Sequence, residues 1–145
     1  MALLACEGGR PVSKEKACMA LWGSDSPQAL DSLSKVCRWL KRLSVNGSAI
    51  PIQVSRGALC LDFSGIRCDL FTFNQLSECA DVESCRKAMA LYKGALLFDK
   101  CYEWSVEYEG RYEIRYLELA QRLAEHYRKA GAIRLAACYE RLLEE

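Results

Sequence analysis

Apolar positions recur along the chain at two different spacings, and the switch between them divides the sequence. Between residues 26 and 43, Leu30, Leu33, Val36, Cys37, Leu40 and Leu43 follow the spacing of one helix face. The opposite side of the same wheel collects Gln28, Asp31, Lys35, Arg38 and Arg42, with Lys41 and Trp39 on its flanks. Ser26 suits the N-cap, and Pro27 suits the first helical position, where its missing N–H costs nothing. The pattern predicts a capped, basic, amphipathic helix over 26–43. Upstream, the apolar stretch Met1–Glu7 reads as the end of a helix stopped by Gly8–Gly9. Ser13 is a second N-cap candidate, opening a short helix to Trp22 with Ala17, Cys18, Leu21 and Trp22 facing inward.

Beyond Leu43 the spacing becomes two. Asn46–Gly47–Ser48 is a turn signal. Ile50, Ile52 and Val54 then alternate with Pro51, Gln53 and Ser55, and Leu59 and Leu61 alternate with Cys60 and Asp62. Alternation interrupted at Arg56–Gly57 predicts a β-hairpin. Three helices followed by a hairpin outline a winged helix-turn-helix, with 26–43 as recognition helix and Arg56 at the wing tip. Helical spacing returns at Asp69, in a segment carrying Leu70, Phe71, Phe73, Leu76 and Cys79–Ala80. A second segment, opened by Asp81 or Glu83, buries Cys85, Ala88, Met89, Leu91 and Tyr92 and ends near Gly94. Leu96–Leu97–Phe98 reads as an apolar connector. A long helix follows from about Trp104 to Ala130, with a bend expected at Gly110, a left-handed cap at Gly131 and a last helix over 133–143. The expected fold is mainly α: a winged helix-turn-helix over 1–64, then antiparallel helical pairs over 65–145.

Composition narrows the functional classes. A chain of 145 residues that is 51% hydrophobic can build a core. The net charge is only +1, yet residues 1–62 carry eight Lys or Arg against five Asp or Glu, whereas 63–145 carry twelve against fourteen. A basic first part and an acidic second part fit a nucleic-acid module joined to a protein-binding one. The nine cysteines are odd in number and include no Cys-x-x-Cys pair, which points to reduced thiols rather than a disulfide framework. With His126 the only histidine, the spacing of a metal site is absent, and neither a metal nor another cofactor is expected. No phosphate loop or nucleophile–base pairing points to an enzyme. No apolar run approaches the roughly 20 residues that span a bilayer. Met1–Cys6 has no basic flank and no cleavage site, so it is not read as a signal peptide. A cytoplasmic protein with no membrane contact is expected.

Two segments carry a family resemblance. Gly9–Arg10–Pro11–Val12–Ser13–Lys14–Glu15 with Ala20–Leu21–Trp22–Gly23, then Ser32–Leu33 and Leu40–Lys41–Arg42, resembles the winged-helix output domain of OmpR/PhoB-type response regulators. The match is closest to the SARP-like branch, the Streptomyces antibiotic regulatory proteins and their relatives. The second half is similar to the bacterial transcriptional activator domain that follows this winged helix, through Cys68–Asp69–Leu70–Phe71, 90–97 (ALYKGALL) and Trp104. That resemblance implies tetratricopeptide-like helical hairpins, with Ala124, Tyr127, Gly131 and Ala136 at the repeat's spacing. It also implies an N-terminal sheet that this chain lacks, so that the chain reads as a fragment, and a receiver or sensor domain ahead of it. Asp31 stands where the family commonly has Asn, and Ser34 and Trp39 stand where it commonly has Arg. At the repeat position that usually takes a bulky apolar residue the chain has Glu140, with Tyr139 one place earlier.

A basic helix face anchored by a core can lie in a DNA major groove. On that reading Lys35, Arg38 and Arg42 are contact residues. Gln28 and Asp31 are base readers, Gln toward adenine and Asp toward the cytosine amino group. Ser24 and Ser26 meet a phosphate at the helix start, and Arg56 reaches the neighbouring minor groove. Trp39 is expected to pack on the wing. The tyrosines of the long helix read as the half-buried edge of a core rather than a binding groove. The partners implied are double-stranded DNA and, through the helical repeats, a second copy or another protein. The competing reading is an interaction scaffold whose winged helix no longer binds DNA.

Overall fold

The computed structural model describes residues 1–145 apart from Asn46, Phe98, Asp99, Cys101 and Glu145, and apart from the Val45 side chain. The parts of the predicted 46–48 turn and 96–98 connector at Asn46 and Phe98 therefore lie outside the described residues, as does Cys101. The protein is mainly helical with a small three-stranded sheet. It divides into two compact units, Met1–Phe71 and Thr72–Glu145; the sequence pattern had set its boundary between residues 64 and 65. No described helix is long and apolar enough to cross a membrane.

In the first unit, α1 (Ala2–Cys6) leads through Gly8 and Gly9, both at positive φ, to β1 (Val12–Ser13). Helix α2 (Lys14–Trp22) starts where the Ser13 hydroxyl accepts the Lys16 N–H at 3.1 Å. It stops at Gly23, which takes the left-handed conformation an L side chain resists. Helix α3 (Pro27–Leu40) begins with Ser26 accepting the Ala29 N–H at 3.3 Å, and Ser24 in turn accepts the Ser26 N–H. The two-residue strands β2 (Ser44–Val45) and β3 (Ser48–Ala49) pair next. Strands β4 (Ile52–Val54) and β5 (Ala58–Leu61) form the expected hairpin around Arg56–Gly57. Strand β1 adds to its far side, Val12 opposite Leu59, giving the order β1-β5-β4. Leu33 and Cys37 of α3, Ala17 and Cys18 of α2, and Ile52, Leu59 and Leu61 of the hairpin are buried together with Val12.

Three expectations fail here. Leu21 and Trp22 are 55% and 45% exposed, because burial in α2 is confined to Ala17 and Cys18 and does not reach the last turn. Val36 is 37% exposed, at the margin of α3's apolar face. Helix α3 ends at Leu40 rather than Leu43. Arg42 and Leu43 donate their N–H groups to Trp39 and Leu40, tightening the end to an i→i−3 turn.

Helix α4 (Asp69–Glu78) starts in the first unit and runs into the second, where it buries Phe73 and Ser77, while Cys79 and Ala80, expected on its inner face, lie exposed beyond its end. Helix α5 (Val82–Leu91) is capped by Asp81, whose carboxylate accepts the Ser84 N–H at 2.8 Å. The Ser84 hydroxyl, and after it this N–H, hold the carboxyl below the usual aspartate range. A 3₁₀ turn (Glu103–Ser105) runs into α6 (Val106–Lys129), which passes Gly110 as one helix with no break there. Its end is a Schellman motif: Gly131 at φ +73°, its N–H on the Arg128 carbonyl and the Ala132 N–H on the Tyr127 carbonyl. Helix α7 (Ile133–Arg141) then folds back on α6, with Ala136 buried, Tyr127 stacked on Tyr139 and Arg128 ion-paired with Glu140.

Most of the tyrosines are half-buried. Tyr108 and Tyr112 are buried, Phe73 meets both Tyr112 and Tyr92, and Tyr92 stacks on Tyr116 with ring centroids 4.4 Å apart. A polar ladder ties α4 to α6 beside them. Asn74 donates to the Tyr112 hydroxyl at 3.0 Å, Arg115 donates to Asn74 Oδ1 and Ser77 Oγ, and Arg122 reaches the Ser77 carbonyl.

Candidate nucleic-acid interface

Helix α3 carries the candidate residues because its inner side is anchored. Ala29, Leu33 and Cys37 are buried, which leaves Gln28, Asp31, Lys35 and Arg38 exposed on the outer side. Arg42 is also exposed, but it sits in the tightened turn after the helix rather than on a helical stripe. Arg56 is exposed at the hairpin turn, and its side chain has no partner among the described residues.

The hairpin turn is fastened to the first residue of α2. The Lys14 N–H donates to the Gly57 carbonyl at 3.0 Å, and Lys14 Nζ donates to the Arg56 carbonyl at 2.9 Å. Both bonds use backbone oxygens, so they fix the turn and leave the guanidinium outside. The sequence carried no signal for this strap, since nothing in its spacing pairs positions 14 and 56.

Between α3, Lys14 and β4 lies a cleft of about 230 Å³, lined by Lys14, Leu33, Ser34, Cys37, Arg38, Lys41 and Val54. Its floor is apolar and its rim carries three cations. Burial pushes the Cys37 thiol up from its ordinary value, and the positive charges of Lys14 and Lys41 partly oppose this. Lys14 and Lys41 thus join Arg38 on one surface, although the sequence reading left Lys14 aside and placed Lys41 only on a flank.

The predicted residues do not all remain available. Asp31 and Lys35, one turn apart, form an ion pair at 2.7 Å. Both side chains stay largely exposed, so this surface pair neutralises part of their charge and competes only weakly with other contacts. Ser26 and Ser24 are half-buried and already engaged in capping α3. Arg38, Lys41 and Arg42 have no ion-pair or hydrogen-bond partner among the described side chains. Trp39 corrects the expectation that it packs on the hairpin: the residue is 59% exposed, at the border between the apolar and cationic sides of the helix.

Comparison of the chain with protein families, with curated proteins and with solved structures returned no match.

Proposed function

We propose that this chain is a DNA-binding transcription regulator of the SARP-like, OmpR/PhoB-related type, acting in the cytoplasm without catalysis. On this reading α3 is the recognition helix, the β4–β5 hairpin is the wing, and α4–α7 are tetratricopeptide-like hairpins that hold a second copy or another protein. One observation carries it. Arg38, Lys41 and Arg42 stand exposed and unmatched on and just beyond a core-anchored helix, beside a strapped turn that presents Arg56. Unmatched cations on a rigid element are the electrostatic footprint that phosphate binding requires. On this reading Gln28, exposed at the helix start, is the reader of an adenine edge.

The second reading, a scaffold that no longer binds DNA, is favoured by the Asp31–Lys35 pair, which removes one cation from the outer side. Binding to promoter-length duplex DNA at two salt concentrations separates the two. The regulator reading expects affinity that falls steeply with salt. It also expects an Arg38→Ala/Arg42→Ala variant to lose roughly 1–3 kcal/mol for each bidentate base contact removed, or a uniform loss with a smaller salt slope if both residues meet phosphate. Salt-independent or absent binding assigns the chain to the scaffold reading.

A further inference from the structure

Trp39 is the one feature of the α3 surface that phosphate binding leaves unexplained. Trp39 is 59% exposed, its indole has no ring or hydrogen-bond partner among the described residues, and Val36 lies one turn earlier, 37% exposed. Leaving so much apolar surface in water is unfavourable, and here it adjoins Lys35, Arg38 and Arg42. An indole offers a flat apolar body and one N–H donor, with no acceptor. Among the base edges of the major groove, only thymine places an acceptor, O4, beside an apolar group, the C5-methyl. Cytosine presents an amino donor where the indole needs an acceptor. The purine edges offer acceptors without a methyl. Resting on the DNA reading above, we infer that Trp39 is a specificity element of this face and that it selects thymine, its ring against the C5-methyl and its N–H toward O4.

The test uses the 145-residue chain and a duplex of about 25 base pairs selected by it from a random pool. Each thymine of the selected site is replaced in turn by deoxyuridine, which keeps O4 and the pairing and removes only the methyl. At one position or two, the substitution is expected to weaken wild-type binding about fourfold per methyl. Trp39→Ala should lose at least that much on the thymine duplex and become indifferent to the replacement. Trp39→Phe, which keeps a ring without the donor, should stay sensitive to the methyl while binding more weakly than wild type. Because Trp39 is exposed, circular dichroism of all three proteins should coincide. Deoxyuridine without effect at every position, or with equal effect on wild type and Trp39→Ala, overturns the assignment and leaves the DNA reading standing. A wild-type chain that selects no duplex from the pool overturns both.

Discussion

The arginines of α3 and α6 differ less in number than in what they face. In α6 each arginine has an internal partner: Arg111 pairs with Glu107, Arg115 bonds Asn74 and Ser77, Arg122 reaches the Ser77 carbonyl, and Arg128 pairs with Glu140. Around α3, Arg38 and Arg42 have none among the described side chains, and neither does Arg56 at the hairpin turn. Charge counts separate the two parts of the chain only weakly. Pairing separates the arginines of these two helices more clearly, because a cation already engaged within the fold is less available to a partner. The arginines of α6 are therefore engaged within the fold, whereas Arg38, Arg42 and Arg56 are not.

Several substitutions probe this contrast, beginning with the largest. Leu123→Ala, deep under α6, should lower stability by about 2–5 kcal/mol in denaturant melts. On the DNA-binding reading, the variant should bind duplex DNA as wild type does at temperatures where it stays folded. Next comes a matched pair. Arg115→Ala strips donors from Asn74 and Ser77 and should cost about 1–3 kcal/mol of stability, whereas Arg42→Ala should change it by less than about 0.5 kcal/mol. Equal costs at the two positions would break the comparison. A smaller and opposite effect is expected at Gly110, where an added Cβ meets nothing within 4 Å and φ is not positive. Gly110→Ala should stabilise α6 by up to about 1 kcal/mol through helix propensity alone. The smallest effect concerns acid. The Asp81 carboxyl lies below its unfolded value, so its cap contribution is complete above the unfolded pKa of about 4 and fades as pH falls through the folded one. Wild type should lose that part of its stability on acidification, and Asp81→Ala should show a shallower acid limb in pH-dependent melts.

Much of the framework was legible from local chemistry. Ser13 and Ser26 each start the helix they are expected to start, Asp81 rather than Glu83 starts the helix after α4, and Gly131 takes the left-handed conformation. The alternation over 52–61 gives a real hairpin. What escaped depends on distance or on extent. A two-residue strand such as β1 is too short to show alternation, and its pairing with β5 joins residues far apart in sequence. Periodicity also finds the apolar side of a helix without telling where along the helix its packing ends. Leu21 and Trp22 were placed inside on that ground, and so was Val36. At the candidate interface, the composition of the outer side of α3 was readable. The mutual pairing of Asp31 with Lys35 was compatible with their spacing but invisible as a choice between a fold contact and a partner contact. The Lys14 strap left no trace in the sequence pattern.

The pairing of β1 with β5 also sets an order of events in time. Val12 and Leu59 are separated by most of the first unit's sequence, so their ladder forms only when α2, α3 and the β4 strand between them have been looped out. Closing so long a loop carries an entropy cost that slows the step. The α6–α7 hairpin turns over three residues and is built from neighbours along the chain, as helix-rich folds that assemble quickly are. Stopped-flow refolding should accordingly resolve a fast phase for the helical hairpin and a slower one for the sheet. It is on that slower clock that Arg56, held by its strap, would reach its place.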